Sequence, residues 1–328
     1  MARYITLLGL ASIVVADDAD DIDAFLNHAA LDRDYAPRGP LINRIIVGRA
    51  RTEFTLQGRY WLSLRGRRDP ERVEGQAALT KLLNGYAAEK PWPPDAIAAM
   101  ADYVRGVGKR RPAAAALAYA VAMPFRAATP GGSAGFNREQ YAQIFRLYER
   151  IAAARSLFSP RGAFIRLNGG AGRARQALLT FMGGDVYGLH AVAVTLDNAL
   201  PVLDAMRSEF AASGKRTRGT SPSRGPSQTP PWLRVRTAPV LVMRQSREPV
   251  TLPQFSERLP AHTLFLLRMR RSLAAEPPGG YEFASGAWSY CPATRYLHAL
   301  YASVWAAAVA PGRQGAAQTI SSPVEAAA

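Results

Sequence analysis

The chain holds one cysteine, Cys291, inside the stretch FASGAWSYCPATRYLHALYASVW at 283–305. A thiolate is a nucleophile or a metal ligand. Phe283, Gly286, Trp288 and Tyr290 form an aromatic loop before it, and Pro292 suits the first turn of a helix after it. That puts the thiol at a helix N-terminus, where free N–H groups and the helix dipole favour the thiolate. A lone cysteine is more often a small buried hydrophobe. A nucleophile needs a base beside it, and the nearest histidine in sequence, His298, lies two helical turns further on. The four histidines, His28, His190, His262 and His298, show no HExxH or similar spacing. One cysteine also excludes a disulfide framework and a multi-cysteine zinc site. A metal held here would take most of its ligands from something other than the protein, and a porphyrin would supply them.

Three other groups have types and spacings that invite chemistry. Trp61 and Arg65, four apart, share one face if their segment is helical, and an indole N–H and a guanidinium are good donors to carboxylates. The pair Gly183-Gly184 sits inside a long helical pattern with Asp185 next to it and His190 a turn further on. Each mid-helix glycine costs about 1 kcal/mol against alanine, so the pair needs a reason: a flat ligand close by, a kink or tight packing. His190 is a proton donor or, more simply, a core histidine. Arg234 and Arg244 lie ten apart in a region that turns from helical to alternating.

The elements that must carry these groups are mostly helical. Helices are expected over 20–31, at LINRIIVG closed by Gly48, and near 73–88, 94–107, 112–125, 138–156 and 173–210, the last broken at Gly183-Gly184 and Pro201. FSPRGAFIRLNGGAG breaks the series. Residues 240–270 alternate like a few strands, with turns at Pro253 and Pro260. The N-terminal run Ile5 to Ala16 reads as two short strands broken at Gly9 or, with its early arginine, as a secretory leader; it is too short to span a bilayer, and no later segment reads as transmembrane. The formal charge of +16 favours acidic partners, but the basic residues are spread out and form no nucleic-acid motif, so no nucleic-acid partner is expected.

The order of these groups resembles the cytochrome P-450 family of haem-thiolate proteins. Phe283, Gly286, Cys291, Pro292 and Ala293 are similar to its cysteine loop, with one extra residue after Gly286 and Ser289 where a basic residue is usual. Trp61 and Arg65 resemble the entry to its C helix, and Met182 to Tyr187 its distal helix motif, with Val186 in place of threonine. Arg234 and Arg244 resemble its K helix and the strand beyond, with Pro231 in place of the motif's glutamate.

The resemblance implies a mainly α fold with a small β region (α+β), a truncated cytochrome P-450-like domain over 1–310. A flexible Ser/Pro/Arg-rich loop at 213–231 and a disordered tail at 311–328 complete the chain. It implies haem b (iron protoporphyrin IX) with Cys291 as the metal ligand. Trp61, Arg65, Gly183, Gly184, Arg244, Phe283 and Gly286 would contact the cofactor, and Asp185 and His190 would handle protons. The implied activity is oxidation of a small organic molecule in bacterial specialised metabolism, in the cytoplasm. An acidic ferredoxin or flavodoxin would serve as electron donor. Without the threonine, dehydration, isomerisation, peroxide-driven chemistry or a silent haem protein are the alternatives.

Overall fold

The structure is a computed structural model. It describes residues 2–7, 9–53, 55–56, 59–60, 65–89, 92–127, 138–155, 160–216, 242–268 and 290–310. Trp61, Arg234, Phe283, Gly286 and Ser289, the segment 217–231 and the tail 311–328 lie outside the described residues.

The N-terminal run forms a hairpin, β1 (Arg3–Leu7) and β2 (Ala11–Ala16), with Gly9 at φ 75° in its turn. Only glycine takes that φ without strain. The next elements are α1 (Ala19–Asn27), capped by Asp18, then β3 (Leu31–Asp32) and α2 (Leu41–Glu53). α2 runs through Gly48, where closure was expected. β4 (Thr55–Leu56) and β5 (Arg59–Tyr60) make a separate two-stranded ribbon. Late in the chain, β6 (Val242–Ser246) and β7 (Leu264–Leu267) complete a five-stranded sheet in the order β1-β2-β7-β6-β3, in which β2 and β7 are the parallel pair. Chain start and chain end thus share one sheet. Phe25 of α1 stacks edge-on against Phe265 of β7 in its core, with centroids 5.3 Å apart.

The remaining mass is a helical bundle: α3 (Pro70–Glu89), α4 (Pro94–Arg105), α5 (Arg110–Ala127), α6 (Arg138–Arg155), α7 (Pro160–Leu167), α8 (Gly170–Phe181), α9 (Val186–His190), α10 (Leu196–Arg216) and α11 (Thr294–Val309). α7 occupies a stretch read from sequence as a break, and α10 extends to Arg216, into the expected loop. Between α9 and α10, Ala191–Thr195 is a π-helical turn, so 186–216 is one continuous long helix. Gly183 and Gly184 are not inside it. Their φ values of 64° and 88° end α8 instead, with amides bonded back to the Thr180 and Leu179 carbonyls. A left-handed pair terminates a helix, which is why the break falls there. Gly188 has a packing reason: a Cβ would lie 2.8 Å from Phe125 Cβ of α5. Pro201, read as a break, is carried within α10. It has no N–H for the Asp197 carbonyl, and the π-turn just upstream absorbs the mismatch. Val186–Ala212 is long and apolar enough to cross a membrane, but most of it is buried in the bundle.

Candidate functional site

Cys291 lies just before α11, and α11 is pinned from three sides. Tyr301 Oη donates to the Ala199 carbonyl of α10 at 3.0 Å, Tyr296 Oη donates to the Ala120 carbonyl of α5, and Trp92 Nε1 donates to Tyr296 Oη at 2.8 Å. The Cys291 carbonyl accepts from Thr294 N at 3.2 Å and Thr294 Oγ1 at 2.8 Å, which turns the chain into the helix. The preceding residue is held from the other side, where Gln76 Nε2 of α3 donates to the Tyr290 carbonyl at 2.9 Å. Burial pushes the thiol up to about 11, while the Ala293 amide and the Arg33 charge pull it down. Those two influences are the ones that would favour a coordinated thiolate.

Arg33, whose charge acts on this sulfur, belongs to a cluster of three arginines that act on one another. Arg244 of β6 is wholly buried (0% exposed), and Arg72 of α3 is nearly so (4%). Arg33 follows β3. The segment carrying it is clamped to β6: Tyr35 Oη donates to the Met243 carbonyl at 2.6 Å, and the Gln245 side chain both accepts from Ala36 N and donates to Ala36 O. Burial, then the neighbouring Arg33, pushes Arg244 down to about 9 and Arg72 down to about 10. Arg33 is lowered too, again first by burial. The one carboxylate among the charges acting on all three is Asp32, which also caps the Arg33 and Arg67 amides. Guanidinium groups gathered in this way suit an anionic group that can accept from more than one of them.

Arg33, His190 and Cys291 keep part of their surface accessible although protein closes around each of them. His190 is pushed down to about 3, first by burial, then by Arg155, Arg33 and Arg72, so it is neutral at ordinary pH. On the same side, the long helix is loosened at its π-turn, and α6 answers the loosened groups. Arg155 donates to the Ala193 carbonyl and pairs with Asp197, while Tyr148 Oη donates to Asp197 Oδ1 at 2.6 Å.

No family model matches the sequence, and no curated protein does. The solved structures do. OxyA from Actinoplanes teichomyceticus matches with a TM-score of 0.55 at 11% identity, over 92% of this chain and 82% of that one. OxyE, a cytochrome P-450 involved in teicoplanin biosynthesis, gives 0.54 at 13%, over 93% and 84%. A myxobacterial cytochrome P-450 in complex with myristic acid gives 0.54 at 16%, over 93% and 85%. The fold is that of the cytochromes P-450. At these identities the likeness speaks for the fold alone, so the chemistry of a cytochrome P-450 has to be weighed on this chain's own residues.

Haem is the group such a fold implies, and the donor set fits it. Among the described residues no three His, Cys, Asp or Glu side chains gather as a metal site, so an iron at Cys291 would need a prosthetic group for its other ligands. The guanidinium groups of Arg33, Arg72 and Arg244 are donors suited to the two carboxylates of a porphyrin. Of the residues named from sequence, Arg244 stands in the arginine cluster with Arg33, and Cys291 is acted on by the same Arg33. Arg65 stands in a bend before α3 and pairs with Asp69 at 3.1 Å and with Glu71. α3 starts at Pro70, where proline fits a first turn and Asp69 Oδ1 accepts from Arg72 N. On α3, Gln76 holds the residue before Cys291, and Arg72, one turn earlier, is buried. Gly183 and Gly184 are exposed in their turn, and Asp185 caps α9, its Oδ1 accepting from Tyr187 N at 2.8 Å and Gly188 N at 3.2 Å. Arg33, Arg72 and Asp197 escaped sequence reading. For Asp197 a signal existed: it is an acid four residues before Pro201 in an otherwise apolar helix.

Proposed function

We propose that the protein is a haem-thiolate oxidoreductase that carries out hydroxylation or a related oxidation of a small organic molecule. The observation that carries this reading is a cluster of Arg33, Arg72 and Arg244, of which Arg33 acts on Cys291, inside a cytochrome P-450 fold. Haem b bound there would supply oxidative chemistry at an iron with an electron-donating sulfur ligand. Cys291 would be that ligand, with the Ala293 amide directed at its sulfur. Arg33, Arg72, Arg244 and the Tyr35 edge of the same cluster would hold the propionates. Trp61, Phe283 and Gly286 keep the cofactor contacts that the resemblance gives them.

The proton role assigned from sequence to Asp185 moves to Asp197 in this reading. The Asp185 carboxylate is committed to two helix amides. Asp197 sits where the helix is loosened, its side chain 39% exposed, held by Tyr148 and Arg155. A carboxylate so placed can take a proton from solvent on one side and release it inward on the other. His190, neutral at ordinary pH, can hold one proton on one ring nitrogen and accept at the other. A role in specialised biosynthesis is supported by the kind of protein that shares the fold, OxyE among them. The +16 charge suits docking of an acidic ferredoxin or flavodoxin, and a cytoplasmic setting goes with such donors. The test is reconstitution with haem, a surrogate ferredoxin and its reductase, against a panel of small apolar and aromatic compounds. The reading expects a compound that shifts the Soret band on binding and draws reduced cofactor in step with oxidised product. Product formed equally well without reductant or peroxide would make the enzyme an isomerase or dehydratase instead.

A further inference from the structure

One corner of the molecule leaves its apolar side chains uncovered. β1 is the edge strand of the sheet, and strand alternation puts Ile5 and Leu7 on one face, opposite the side of Tyr4, which packs into the core beneath α1. Ile5 pairs with Ile13, which packs with Val47 of α2, so this is the face that α2 covers in part. Ile5 and Leu7 are each 50% exposed. The hairpin tip then presents Leu10, 45% exposed, whose carbonyl accepts from Ile42 N at 2.8 Å and so meets the start of α2. There Leu41 and Ile45, four apart on one helical face, are 46% and 60% exposed. Five aliphatic side chains thus run together around the tip and the first turns of α2. Single exposed apolar residues are ordinary, whereas a contiguous group with a polar rim marks an interaction site.

The rim has one sign. Arg38 and Arg44 are exposed, and between Tyr35 and Thr52 there are four arginines and no Asp or Glu. The nearby carboxylate of Asp17 is taken by Arg3 and Arg268. We infer that this corner seats on an anionic membrane surface, with the leucines and isoleucines entering the headgroup boundary and Arg38 and Arg44 on lipid phosphates. Apolar residues flanked by arginine alone have the composition of an interfacial anchor. A second copy of the chain suits the corner less well, because self-association there would bring Arg44 against Arg44 with no acid to answer either. The inference does not depend on haem.

The test is co-sedimentation of the full chain with vesicles of phosphatidylcholine alone and of phosphatidylcholine mixed with phosphatidylglycerol. Binding is expected to the anionic vesicles and to weaken in high salt. Ile45→Glu or Leu10→Glu should weaken it at least about tenfold, as expected for withdrawing one buried aliphatic side chain. Arg44→Gln should weaken it by less. Val107→Glu, at a residue 78% exposed elsewhere, should leave it unchanged once circular dichroism shows each variant folded. Absence of binding to anionic vesicles, or an equal loss in Val107→Glu, overturns the inference. So does a concentration-dependent dimer that Ile45→Glu disperses, which would make a second copy the occupant.

Discussion

Arg244→Met should act in opposite directions on the haem-free and haem-loaded protein. In the haem-free chain the guanidinium is fully buried, and burial pushes its proton affinity from the ordinary value down to about 9. At about 1.4 kcal/mol per pH unit, holding that charge costs the folded state at most roughly 5 kcal/mol. Relaxation and the bond from Arg244 Nη1 to the Met243 carbonyl at 3.0 Å reduce this, so a gain of about 1–3 kcal/mol is expected on substitution. The sign follows from linkage. Below pH 9 both folded and unfolded states carry the charge and the full cost is present. As pH rises from about 9 towards 12.5 the folded state gives up the proton first, and the wild type gains stability that the variant does not. In the haem-loaded protein the charge is answered by a propionate, and removing it forfeits a charge-assisted hydrogen bond of about 1.5–3 kcal/mol, or roughly ten- to a hundredfold in haem retention. Urea unfolding of both forms, with haem transfer to an acceptor globin, closes the cycle. Equal destabilisation of both forms refutes the reasoning, because Arg244 would then be a structural residue with no coupling to the cofactor.

The other expectations concern the distal side. The wild type should lose stability as pH falls from about 6.5 towards 3, because the unfolded chain takes up a proton that the buried His190 does not. His190→Leu should remove about 2 kcal/mol of the difference between urea midpoints at pH 7 and pH 5, and an unchanged difference would contradict this. Asp185→Ala should cost about 1 kcal/mol of stability as a lost helix cap while leaving the haem spectrum and turnover of the folded enzyme intact. Asp197→Asn should leave the haem spectrum intact and slow substrate oxidation at least about tenfold, with a larger solvent isotope effect.

The sequence exposed what depends on local spacing. The bundle helices announced themselves by apolar period and by proline at their starts, and the N-terminal hairpin by its alternation around Gly9. Cys291 was legible because aromatic residues, glycine and proline surround it, and Arg244 because it sits in an alternating strand. What stayed hidden depends on contacts between distant segments. Arg33 lies near Arg244 only because Tyr35 and Gln245, 210 residues apart, join their strands. Arg72 reads as one more surface charge of a helix until Gln76, one turn on, is found holding the cysteine loop. The glycine pair misled because a mid-helix glycine and a helix-ending one look alike in sequence; φ alone separates them.

The central claim is that Cys291 presents a thiolate to haem iron. The ferrous–carbon monoxide spectrum of the purified, haem-reconstituted protein tests it most directly. A strongly red-shifted Soret band that disappears in Cys291→Ala is the predicted result. An unshifted band, or one identical in Cys291→Ala, contradicts the account.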